Sequence, residues 1–213
     1  MHSVQLIHIT PKAEELIAYM ARVSNPSNQS NTETSAKLIK YLIQHQHWSP
    51  FEMVNMCVEI NTTRSIAAQI LRHRSFSFQE FSQRYADVSC IGSPVIPALR
   101  RQDTKNRQNS IDDLSTDQKQ TYLRRIQQHF AEAEDLYREM VSSGVAKECA
   151  REVLPMASPS RLYMNGTIRS WLHYCELRTK NGTQREHAVI AAQVQDLLYN
   201  FLPNVCEAMW EKD

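Results

Sequence analysis

The apolar positions of this chain follow two periods, and each change of period marks an element. From Thr10, the run Pro11-Lys-Ala-Glu-Glu-Leu-Ile-Ala-Tyr-Met-Ala-Arg22 repeats apolar residues at helical spacing. Thr10 is placed to cap this helix, with Pro11 at its first helical position. Ser24 to Thr34 is rich in Ser and Asn and reads as a loop. Leu38, Leu42 and Ile43 then share one face of a second helix over 35–46, ending near His45. After Pro50, Val54, Met56, Val58 and Ile60 alternate with Asn55, Cys57 and Glu59, and a period of two predicts a strand with one face in a core. Helical spacing returns over 64–74, where Ile66, Ala67, Ile70 and Leu71 form the apolar stripe and Gln69, Arg72 and His73 share another face.

Residues 98–118 carry few apolar side chains and are expected to form an exposed excursion, not a domain linker, because neither flank looks self-sufficient. Beyond it, Tyr122, Ile126, Phe130, Ala133, Tyr137 and Met140 step by three or four, predicting one long amphipathic helix over about 119–142 that Gly144 stops. A short helix near 147–153, an extended piece at 161–164 and helices at about 168–177 and 184–201 complete the chain. Trp171 and Tyr174 fall at spacings that place them in a core or a subunit interface.

Composition narrows the classes of function. The 213 residues suffice for one substantial core, so a single domain over 1–213 is the first expectation and two small ones the second. With 24 Lys and Arg against 23 Asp and Glu, the formal charge of +1 disfavours a nucleic-acid-coating protein and confines any basic chemistry to a local site. No long apolar run and no cationic leader is present, so a cytoplasmic protein without a membrane partner is expected. The four glycines, Gly92, Gly144, Gly166 and Gly182, cannot build a Gly-x-Gly-x-x-Gly turn or a phosphate-cradling loop, so side chains must hold any nucleotide. Five scattered cysteines contain no Cys-x-x-Cys pair, and His45 and His47 lack further ligands at matching spacing, so no metal is expected.

The densest polar cluster runs from Arg72 to Tyr85, with three arginines, three serines, a histidine and a glutamate. Guanidinium forks suit phosphate oxygens, while hydroxyls and a carboxylate complete a mixed lining around a nucleotide. Composition alone leaves two alternatives open. One is a solvated basic turn at a helix end. The other is a nucleotide- or RNA-binding module in which Arg72, Arg74 and Arg84 grip phosphates and Phe76, Phe78, Phe81 and Tyr85 stack bases.

The spacing separates these. Arg72-His73-Arg74, Ser77, Glu80, Ser82 and Arg84 stand as Arg-His-Arg-x-x-Ser-x-x-Glu-x-Ser-x-Arg, which resembles the defining motif of the flavin-dependent thymidylate synthases. Further blocks follow the same order as in that family: His47-x-Ser-Pro-Phe-Glu52, Gln69, Ala150-Arg151-Glu-Val-Leu-Pro155, and Leu177-Arg178 followed by Thr183-Gln184-Arg-Glu186. The chain departs from the family's common residues at Met53, Gln79, Thr183, Thr167 and His173.

The resemblance implies an α+β subunit with a central, mostly antiparallel sheet and long flanking helices, assembled as a homotetramer with shared sites. It implies a methyltransferase reaction in which dUMP becomes dTMP, 5,10-methylenetetrahydrofolate donates the carbon, and FAD reduced by NADPH delivers a hydride. Carried over position by position, Gln69, Arg72, Glu80, Ser82, Gln83, Arg84, Arg151 and Arg178 would hold dUMP. Ser49, Arg72, His73, Arg74, Glu80, Thr167, Arg169 and His173 would contact FAD. Arg178 matches the catalytic arginine that stabilises the ionised pyrimidine. No enzyme nucleophile is required, because no base is placed beside Ser82.

Overall fold

A computed structural model of the chain describes residues 2–211. The single-domain expectation over 1–213 therefore reaches Met1, Lys212 and Asp213, which lie outside the described residues. The fold is α+β, and its centre is a four-stranded sheet in the order β1-β2-β6-β3, antiparallel throughout. These strands are β1 (Ser3–Ile9), β2 (Asn55–Thr63), β3 (Ser77–Glu80) and β6 (Pro159–Thr167). The alternation read at Val54 to Ile60 is the first part of β2, and the extended piece at 161–164 is the middle of the nine-residue β6. The register pairs Val58 with Met164 and Ile60 with Leu162, putting fully buried side chains beside one another in the centre of the sheet.

β1, β3, the β4 and β5 hairpin and α8 lie outside the sequence expectations. β1 pairs with β2 through a bulge between Leu6 and His8, which leaves Ile7 exposed and breaks the clean alternation that would have marked it. A small hairpin of β4 (Arg101–Gln102) and β5 (Ser110–Ile111) organises the excursion, tied by Arg101 to Asp113 and by Asp103 accepting from the backbone of Lys105. A last helix, α8 (Pro203–Trp210), follows Pro at its first position and packs on α2 (Ser35–Gln44).

Local chemistry also corrects several ends. α1 (Ala13–Ala21) is not capped by Thr10, whose hydroxyl accepts from the Asn55 backbone N–H and extends the sheet pairing; the helix begins after Lys12, held at φ 54°. α3 (Arg64–Ile70) stops short of Arg72 and His73, so these do not share a helix face with Gln69. α4 (Thr116–Ser142) starts three residues earlier than the expected start at about 119, because Ser115 and Gln118 form a reciprocal capping box. It ends as expected, with Gly144 at φ +88° just beyond.

α5 (Lys147–Ala150), α6 (Ile168–Arg178) and α7 (Arg185–Phe201) complete the fold. One large core gathers Phe51, Met56, Ile60, Ile66, Leu162, Trp171 and Tyr174, and a smaller one joins Tyr137 of α4 to Val88 and Ala150. Trp171 and Tyr174 are core residues, and the Trp171 indole N–H donates to the Met56 carbonyl at 2.9 Å. No described helix is long and apolar enough to cross a membrane.

Candidate active site

The residues between α3 and β3 return the chain from helix to sheet, and Phe76 anchors that return. Its ring meets Trp171 edge-on at 4.6 Å and lies so close to Gly166 that an added Cβ would come within 2.4 Å of it. Only glycine admits this approach. Phe76 and Phe78 are thus packed against the core, which removes two rings from the base-stacking platform that the binding-module reading needs.

This anchoring places His73 over Tyr174 at 5.0 Å and within 6.2 Å of His187 from α7. Arg178, at the end of α6, donates its Nε–H to His73 Nε2 at 2.9 Å. Burial, with the Arg178 and His173 charges, pushes His73 down to about 4, and burial with Arg178 and His73 pushes His187 down to about 3. Both imidazoles are therefore neutral at pH 7, and each offers one donor and one acceptor. His73 accepts at Nε2, which holds the Arg178 fork by one edge and leaves its other donors free of protein partners among the described residues. His187 is fully buried; it contacts the Tyr174 hydroxyl at 3.1 Å and Gln69 Oε1 at 3.4 Å.

Gln69 Nε2 in turn donates to Gln184 Oε1 at 2.7 Å, and Gln184 Nε2 donates to Glu186 Oε2 at 3.0 Å. Burial alone would raise the Glu186 carboxyl. Hydrogen bonds from its own backbone N–H, Arg100 and Gln184 nevertheless leave it below its ordinary value. So Gln69, His73 and Arg178 come together, from α3, the turn and α6, although the predicted continuous helix face does not exist.

Other predicted residues sort into two further groups. Arg169 pairs with Glu52, joining α6 to the His47-x-Ser-Pro-Phe-Glu52 block, and both line an open cleft of about 460 Å³ with Trp48, Ser75, Ser170 and His173. A guanidinium, an imidazole, hydroxyls and an indole ring make a donor set that fits a flavin nucleotide. Thr167 instead caps α6, accepting from the Ser170 N–H at 3.2 Å. Ser49 faces a neighbouring apolar groove with Met53 and Val23, away from His173. The guanidinium groups of Arg72 and Arg74 are exposed and free of protein partners among the described residues.

The second group lies around α5. Ser82 and Arg84 line a shallow depression with Lys147 and Glu148, and Arg84 pairs with Glu148 at 3.0 Å. Arg151 follows α5 directly; its Nε is buried and lies 3.4 Å from Glu152 without hydrogen-bond geometry. Gln83 Nε2 is likewise a buried donor without a protein acceptor. Such donor-rich ground favours an anion. Among the described residues, no hydrogen bond or ion pair joins this group to Gln69, His73 and Arg178.

Glu80 accepts from Arg64 at 3.1 Å and from Ser160 at 2.6 Å. Arg64, Ser160, His187, Arg100 and Glu148 were not among the residues the sequence singled out, and Tyr174 was read only as a core or interface residue. Nothing in their local sequence separates them from ordinary surface charges or core positions; only pairing across 13 to 118 residues gives them partners at the site.

The family model described as thymidylate synthase complementing protein matches residues 5–204. A probable flavin-dependent thymidylate synthase of Paramecium bursaria Chlorella virus 1 is 50% identical over 197 residues, covering 92% of this chain and 90% of the relative. The flavin-dependent thymidylate synthase of Synechocystis sp. is 47% identical over 92% of this chain and 89% of its own length. Among solved structures, the UMP/dUMP methylase PolB of Streptomyces cacaoi bound with 5-Br dUMP superposes with a TM-score of 0.86 at 28% identity, covering 98% of this chain and 94% of that one. By sequence and by fold, the chain belongs to the thymidylate synthase complementing protein family, that of the flavin-dependent thymidylate synthases.

Proposed function

We propose that this protein forms dTMP from dUMP, with 5,10-methylenetetrahydrofolate as carbon donor and NADPH as reductant. The observation that carries the reading is Arg178, a permanent cation held at one edge by a neutral histidine with its remaining donors open. When bound, FAD supplies the redox chemistry, taking up reducing equivalents and delivering a hydride.

The chain's own residues bind, orient and polarise. Arg178 lies beside the pyrimidine and favours negative charge on the ring, and a guanidinium keeps its charge and does not take the proton. Neutral His73 adds no competing cation and keeps the fork from rotating. Gln69 contacts the base, and Arg72 lies on the side shared by dUMP and FAD. Arg84, Arg151, Ser82 and the buried Gln83 amide receive the phosphate, while Glu80, fixed by Arg64 and Ser160, orders the strand between phosphate and base. Arg169 and His173 hold the flavin from the cleft they line, His73, Arg74 and Ser49 add contacts from outside that cleft, and Thr167 orders the helix start from which Arg169 projects.

Among the described residues no bond joins the Arg178 and Arg84 groups, which supports an assembly, read as a homotetramer, in which one site draws on more than one subunit. Anaerobic dTMP formation from dUMP, methylenetetrahydrofolate and NADPH, with and without added FAD, tests the reading. Flavin-dependent product is expected; a colourless protein that stays inactive after FAD is added would defeat it.

A further inference from the structure

A continuous line of hydrogen bonds connects the excursion to Gln69, and its direction is set at one end. Arg100, mostly buried at the foot of the β4 and β5 hairpin, donates to Glu186 at 2.8 Å and to Ser110 Oγ at 2.9 Å. A carboxylate has acceptors only, so Gln184 must turn its amide N–H to Glu186 and its carbonyl away. That carbonyl accepts from Gln69 Nε2, which turns Gln69 Oε1 toward His187 Nδ1. His187, donating from Nδ1, accepts at Nε2 from the Tyr174 hydroxyl.

The bonds among Gln184, Gln69, His187 and Tyr174 could all be reversed together with their number unchanged. The ionised Glu186 is the member that cannot donate, and reversal would set the Gln184 carbonyl against its carboxylate. We propose that Glu186, held by Arg100, is a positioning residue that fixes the amide of Gln69 in one orientation and thereby favours uracil over cytosine. Gln69 Nε2 gives one N–H to Gln184, and its second N–H is free for a ligand. An amide held this way turns its carbonyl to His187 and presents its free N–H to the base, which suits a uracil carbonyl and opposes the exocyclic amino group of cytosine. The inference rests on Gln69 facing the pyrimidine, as the proposed function has it.

Glu186→Gln is the informative change, because it keeps the shape and an acceptor while removing the constraint on direction. Binding of dUMP and dCMP to the FAD-loaded protein is measured by calorimetry, alongside dTMP formation by the wild type. In E186Q the preference for dUMP over dCMP is expected to shrink roughly tenfold, the scale of one hydrogen bond. Arg100→Met, which leaves Glu186 without its cation, serves as the second variant and should weaken the preference in the same direction. Thermal midpoint and flavin absorbance identify a variant that has merely lost its fold, and a purely structural role would leave the nucleotide preference where it was. Wild-type product with an unchanged preference in folded E186Q and R100M would overturn this inference alone; a wild type that neither binds dUMP nor forms dTMP would overturn the proposed function and this inference with it.

Discussion

Arg178 and its histidine show how one side chain acquires a role from its neighbours. The motif supplies a cation, but its aim depends on His73 accepting at Nε2, and His73 accepts because burial keeps it neutral. Arg178→Ala is expected to retain bound FAD while dTMP formation falls by roughly 10²–10³-fold, as for loss of one electrostatic donor; full activity with flavin bound would sink the assignment. The two depressed imidazoles also set a pH dependence. His73 lies near 4 and His187 near 3, so an unfolding chain takes up protons there that the native chain does not hold. Their contribution is complete above the ordinary histidine value of about 6.5 and is lost as pH falls toward 4 and then 3. The thermal midpoint should therefore drop between pH 7 and pH 5, and His187→Gln should narrow that drop; an equal drop in the variant would count against a neutral His187.

Helices and strands were legible wherever period and burial agreed. The stripe of α2, the later half of the α4 stripe and the alternation of β2 each face a core, so their periods survive in the sequence. β1 was hidden by its bulge, and the α1 start was misplaced because Thr10 is claimed by a strand partner 45 residues away. β6 carries a glycine whose need is tertiary, since only the Phe76 ring makes Gly166 obligatory. Gly166→Ala should cost about 1–3 kcal/mol by overpacking, read as a lower midpoint in denaturant with little change in slope. A neutral effect would mean that Phe76 can move aside, and with it the turn that carries His73.

For the molecule as a whole, the predicted residues fall into clusters that no hydrogen bond or ion pair joins among the described residues. α4 packs its later half on Val88 and Ala150 but leaves Tyr122 and Leu136 about half exposed on a helix of 27 residues. An assembly of four chains is expected by light scattering, and Tyr122→Glu with Leu136→Glu should weaken it together with activity. A wild-type monomer with full activity would refute shared sites. The sequence by itself determined the reaction class, because the Arg-His-Arg-x-x-Ser-x-x-Glu-x-Ser-x-Arg spacing and its companion blocks are local and survive in one dimension. It also named Arg178 and Gln69. What only the tertiary structure decided is how those groups are aimed. His187, Tyr174, Arg100 and Arg64 reach the site by hydrogen bonds between residues distant in the chain, and the direction of such bonds depends on which donor meets which acceptor after folding.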